Sequence, residues 1–95
     1  MAAPLPTIHL NGSSSTSLLI TTRDALRAVN AAIDAVTAAA PNARDYYPQG
    51  PEAWSAADKA QRDRLAKLID VRDELAELFR GISDMVSERA GYVPR

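Results

Sequence analysis

The 95-residue chain has no cysteine and a single histidine, His9. Disulfides and thiolate metal sites are excluded, and one chain cannot build a multi-histidine site. No Ser/His/Asp or Cys/His arrangement is available beyond that lone imidazole. There is no P-loop, no dinucleotide fingerprint and no zinc spacing. These absences lead to the expectation of a non-enzymatic protein with no cofactor. Charge of one sign is also lacking: the formal net charge is -1 and the pI about 5.7. That is not the footprint of a general nucleic-acid binder. No apolar run approaches the roughly 20 residues needed to cross a bilayer. Met1-Ala2-Ala3-Pro4 lacks the basic start and long apolar region of a signal peptide. The expectation is a cytoplasmic protein without a membrane partner.

A chain this short makes one domain, 1–95, with a thin stability margin. Small domains compensate with disulfides, metals or association. With no cysteine and one histidine, association into a homo-oligomer is the route left open.

Pro4 and Pro6 favour an extended start. Thr7-Ile8-His9-Leu10 alternates polar and apolar residues before the turn signal Asn11-Gly12. Residues 1–12 are therefore expected to form an extended arm, either packed on the chain or paired with the same arm of another subunit. Ser13-Ser14-Ser15-Thr16-Ser17 precedes an apolar periodic segment, and any hydroxyl from Ser14 to Ser17 can cap a helix start.

A first helix is expected over 15–40. Leu19, Thr22, Leu26, Val29, Ile33 and Val36 step by three and four, a coiled-coil-like stripe. Leu18, Ala25, Ala32 and Ala39 form a second row at every seventh residue. With only Arg23, Asp24, Arg27, Asn30 and Asp34 on its polar face, this helix is expected to be covered on more than one side. A second helix is expected over 52–90. Pro51 suits its start and Gly91 a left-handed cap at its end. At 1.5 Å per residue it exceeds the first helix by about 20 Å. It nevertheless stays apolar through Leu75, Leu78, Phe79, Ile82, Met85 and Val86. Either a break near Gly81 folds the last turns back, or the surplus is an oligomer interface. The fold class is all-α: an antiparallel helical hairpin with a short extended N-terminal arm, assembled into an oligomeric bundle.

Residues 58–67 carry a net charge of +2 and residues 70–88 a net of -4. The helix macrodipole favours the opposite trend at helix ends. Pairs at suitable spacing, Asp58 with Arg62, Asp63 with Lys67 and Glu77 with Arg80, account for much of this pattern. It also suits an anion site beside the basic half, or an antiparallel partner helix. Arg72 falls in the seam between Leu68 and Leu75, where it can reach Asp34, a subunit partner or solvent.

Between the helices lies Pro41-Asn42-Ala43-Arg44-Asp45-Tyr46-Tyr47-Pro48-Gln49-Gly50-Pro51, with three of the six prolines and two of the three tyrosines. A helix–helix connection needs about 2–8 residues and no such chemistry. Arg44 offers a planar fork for phosphate or carboxylate. Tyr46 and Tyr47 offer ring faces and hydroxyls, and Gln49 can read an amide or base edge. Lys59 and Arg62 can add charge. Together these six residues are the candidate site for a nucleotide-sized anionic ligand. The plain alternative packs both tyrosines over the bundle end, makes Trp54 a core lid, and pairs Arg44 with Asp45 or Glu52. Glu74-x-x-Glu77 matches half of the carboxylate pattern of helical nucleotide pyrophosphohydrolases, but the second acidic pair is missing. The acids at 70, 73, 74 and 77 read as a solvated face.

The strings Ile8-His9-Leu10-Asn11-Gly12 and Pro41-Asn42-Ala43-Arg44-Asp45-Tyr46-Tyr47-Pro48-Gln49-Gly50 resemble those of small helical proteins encoded by tailed phages and prophages. The similarity runs from the arm through the second helix. It implies a phage origin and brings no established activity. Small accessory phage proteins include inhibitors of host defence, some of them oligomeric sponges for nucleotide signals. By that analogy the expected function is sequestration of a nucleotide immune signal. The alternatives are a module that docks a host or phage protein and a structural assembly component.

Overall fold

The computed structural model describes residues 4–9 and 12–89. A helix start leaves its first N–H groups without intrahelical acceptors. Here Ser14 supplies one: its Oγ accepts from the Ser17 amide at 3.0 Å, and its carbonyl takes the Leu18 amide. Helix α1 then runs Ser15–Ala38. Pro41 disfavours helical geometry at Ala40, and α1 closes two residues short of the expected Ala40. The Ala39 amide is shared by the carbonyls of Ala35 and Val36, each at 3.1 Å.

The connection is more ordered than a plain loop. Asn42 caps a four-residue helix, α2 (Ala43–Tyr46), through its Oδ1, which accepts from the Arg44 amide at 2.9 Å. A single 3-10 turn, Tyr47–Gln49, follows directly. Gly50 then adopts φ 99°, a left-handed conformation that a side chain resists. This reversal starts α3 (Pro51–Arg89), with Pro51 in its first turn and Glu52 beside its positive end. The described residues contain no strand, and the architecture is all-α. No helix among them is long and apolar enough to cross a membrane.

α1 packs against α3. Gln61, in the first third of α3, donates from Nε2 to the Val36 carbonyl at 2.6 Å near the end of α1. The segment preceding α1 lies against the last third of α3, where Leu5 touches Gly81. On α3, Leu65, Leu68, Arg72, Leu75 and Phe79 are half-buried and Ile82 is buried. These α3 positions also alternate steps of three and four, the spacing of a coiled-coil seam.

The seam is thin. Ile82 is the one hydrophobic side chain fully enclosed among the described residues, at 1% exposed. Two polar side chains, Thr22 and Gln61, are also buried. Gln61 is satisfied on both sides, because its Oε1 accepts from Arg64 Nη1 at 2.6 Å. The molecule measures 64 × 29 × 21 Å, with a radius of gyration of 19.6 Å. A compact 95-residue domain would have about 12 Å. Its accessible surface of 7150 Å² exceeds the roughly 5300 Å² of a compact monomer of this mass.

α3 is unbroken through Gly81, so a break near that residue does not occur. The arm instead covers part of the surplus helix. Leu5 sits over Gly81, and Thr7 and Ile8 face Met85 and Glu88 across a shallow cleft of about 350 Å³. The Gly12 amide donates to the His9 carbonyl at 3.1 Å. The part of the alternating segment at Leu10, the turn residue Asn11 and the Gly91 cap lie outside the described residues.

Two stability outcomes follow from this packing. Ile82→Ala removes the one enclosed apolar side chain and is expected to cost about 2–4 kcal/mol in urea unfolding. Gly81→Ala should leave α3 helical, since alanine is the better helix former by about 1 kcal/mol. Its methyl group would, however, collide with Leu5. The Leu5 methyl signals should therefore shift in this variant while the α3 amides keep their exchange protection.

Candidate functional site

The connection places its polar and aromatic side chains unequally. Tyr46, at the end of α2, is half-buried, while Arg44 and Gln49 are exposed. Tyr47 opens the 3-10 turn and is 82% exposed. Pro48 follows it, and the Gly50 amide closes the turn on the Tyr47 carbonyl at 3.3 Å. The ring is therefore held outward by an ordered backbone. Both α2 and the 3-10 turn pack against α3 of the same chain. Trp54 is half-buried one turn into α3.

Arg44 forms no ion pair with Asp45 or Glu52, and no carboxylate lies within pairing distance of it among the described residues. Its guanidinium fork is open to solvent. Lys59 and Arg62 differ. Lys59 Nζ lies 2.8 Å from Asp63 Oδ2, and Arg62 Nη2 lies 3.1 Å from Asp58 Oδ2. Both cations are already matched by acids four residues away on their own helix. Lys59 also lies about 12 Å along α3 from Pro51, at 1.5 Å per residue. No hydrogen bond or ion pair joins either cation to the loop side chains among the described residues. The structure thus groups Arg44, Tyr46, Tyr47 and Gln49 on one connection and leaves Lys59 and Arg62 engaged elsewhere.

The Asp63 carboxyl is held below its ordinary value of 3.8, first by the hydrogen bond from Lys59, then by the charge of Lys59. The expected Asp63–Lys67 pair is replaced by this Lys59 pair, one turn in the other direction. Glu77 and Arg80 do not pair, and Arg72 turns to its neighbour Asp73 rather than to Asp34. Its Nη2 lies 3.1 Å from Asp73 Oδ1. The seam position forces Arg72 sideways, and the adjacent carboxylate is the first it reaches.

Asp70, Asp73, Glu74 and Glu77 line an open cleft of about 300 Å³ on α3. No three metal-ligating side chains converge among the described residues. Neither this cleft nor the one beside the arm is lined by the connection. Two further residues, Asn42 and Gln61, carry structural roles not among the expectations above. Asn42 fixes the start of α2, and an asparagine two residues before an arginine-bearing turn is a recognisable cap signal. Gln61 ties α3 to the end of α1, and nothing in its sequence context marks it.

No protein-family model, curated protein or solved structure matches the chain, so the site is read from its own chemistry.

Asp63 titrates lower folded than unfolded. The stabilisation from its pairing is therefore present above the unfolded value and lost as pH falls through the folded one. In a carbon-detected titration the Asp63 carboxyl should titrate below 3.8, and Lys59→Gln should move it back towards that value.

Proposed function

We propose that the chain is a non-enzymatic binding protein that works as a homo-oligomeric antiparallel helical hairpin and docks a protein partner through the Arg44–Gly50 connection. The observation that carries this reading is Tyr47. A large aromatic ring stands 82% exposed on a turn braced by Pro48 and Gly50. Nothing within the described residues uses it. Beside it in sequence, Arg44 is exposed and without an internal carboxylate. Tyrosine and arginine are the residues that most often anchor protein interfaces. An ordered turn loses less entropy on binding than a flexible one. The excess surface of the elongated molecule supports the oligomeric part. The proposed partner is a host or phage protein.

A second reading rests on the same open guanidinium. Arg44 can fork a phosphate, with Tyr46 or Tyr47 stacking on a base and Gln49 reading its edge, so that an oligomer would sequester a nucleotide signal without cleaving it. The engagement of Lys59 and Arg62 by Asp63 and Asp58 weakens this reading, because less free positive charge remains near the connection.

The two readings separate in one set of measurements. In a pull-down from host lysate, Tyr47→Ala and Arg44→Ala should each release a specific partner. For Tyr47→Ala an affinity loss of about 30-fold is expected, corresponding to about 2 kcal/mol. An unchanged partner list in both variants would overturn the docking role of the connection. Calorimetry against cyclic dinucleotides and cyclic ADP-ribose isomers tests the second reading, and absence of heat with folded protein would sink it.

A further inference from the structure

α3 carries a second regular stripe beside its seam. Arg64, Lys67, Val71, Glu74 and Leu78 step by three and four along the adjoining flank, and Gly81, Met85 and Glu88 continue it. The arm covers the flank from Gly81 onward. Between Arg64 and Leu78 it is uncovered: Arg64, Lys67 and Glu74 are exposed, Leu78 is half-buried and Val71 is 42% exposed. In an antiparallel helix pair, the α1 row Leu18, Ala25, Ala32 borders this same flank. The opposite flank, through Thr16, Arg23, Asn30, Ser55 and Arg62, is more polar, though it also carries Ile69, 37% exposed.

The charges on the uncovered stretch are self-complementary. Lys67 and Glu74 lie symmetrically about the midpoint between residues 70 and 71; Arg64, and Glu77 at the outer edge beside Glu74, share that midpoint. Lys67, Glu74 and Glu77 have no ion-pair partner among the described residues, and Arg64 contacts the neutral Gln61. Reversing the same helix about that midpoint brings each base onto an acid and Val71 close to its own copy. The surface exceeds that of a compact chain of this mass by about 1800 Å². A standard interface takes about 800 Å² from each partner.

We infer that the Arg64–Leu78 stretch of α3 is a two-fold interface with a second copy of this chain. Lys67 of each copy pairs with Glu74 of the other, Arg64 pairs with Glu77, and Val71 lies near the axis. Closing two helix pairs on this face makes a four-helix bundle and covers the apolar flank. The inference rests on the oligomeric part of the proposed function and names its surface.

Charge exchange tests it. In sedimentation equilibrium at low salt the wild-type chain should behave as a dimer. Lys67→Glu and Glu74→Lys should each weaken dimerisation by about tenfold or more, through like charges brought together. The double variant Lys67→Glu/Glu74→Lys should recover association to within a few-fold of wild type. Both exchanged positions are exposed, and far-UV circular dichroism checks that the variants stay helical. Because the chain has no cysteine, Val71→Cys adds an independent readout. It should form an intermolecular disulfide under mild oxidation, whereas Ile20→Cys on α1 should not. A wild-type chain that stays monomeric at millimolar concentration overturns both the interface and the oligomeric reading. An oligomer insensitive to the charge exchange, or one that does not cross-link at residue 71, overturns this interface and leaves association through another face.

Discussion

A seam only one side chain deep on each helix governs this molecule. Two helices offer each other one stripe apiece, and two cylinders in contact cannot surround a side chain. The stripe residues of α1 consequently stay half-exposed, apart from Thr22, and on α3 only Ile82 is enclosed among apolar residues. Leu5 of the arm closes over the neighbouring Gly81. Most of what is distinctive elsewhere compensates for that thin seam. The arm lies over Gly81, the connection packs on α3, and Gln61 ties α3 to the Val36 carbonyl across the pair.

The length mismatch between 24-residue α1 and 39-residue α3 has the same origin. α3 outruns its partner, and the chain returns other segments to the overhang rather than bending the helix. Gly81 is central to this arrangement. Lacking a side chain, it provides the depression that receives Leu5, while the surrounding helix carries the cost of glycine within it. The connection works similarly at the other turn of the chain. Asn42 starts α2, Pro41 and Pro48 restrict the backbone, and Gly50 alone takes the left-handed conformation. Tyr47 is consequently presented by a backbone with few alternatives, and that is why an exposed ring there points to binding.

Charge follows a separate logic. Asp58, Lys59, Arg62 and Asp63 neutralise one another within two turns of α3, and exposed pairs of this kind contribute only tenths of a kcal/mol. They matter more for what they remove. With Lys59 and Arg62 matched, Arg44 stands as the open cation of the connection. Arg64, Lys67, Glu74 and Glu77 remain unmatched further along, where the helix changes sign. An uncompensated sign change on one helix is most simply satisfied by a second helix of the same sequence running the other way.

The sequence by itself determined the all-α class, the capped start of α1, the α1 stripe and the proline-bound connection. Each of these rests on local spacing: steps of three and four, a hydroxyl before an apolar run, proline against helical geometry at the preceding residue. Only the tertiary structure decided how the overhang is handled, which pairs the charges form, and which tyrosine faces water. Asp63 had two lysines at equal sequence distance, and rotamer geometry chose Lys59. Tyr46 and Tyr47 are adjacent and alike in sequence, but α2 ends between them, so one ring turns to the bundle and the other to solvent. Leu5 and Gly81 are too far apart in the chain for any periodicity to link them, and only the packing of the arm on α3 brings them together.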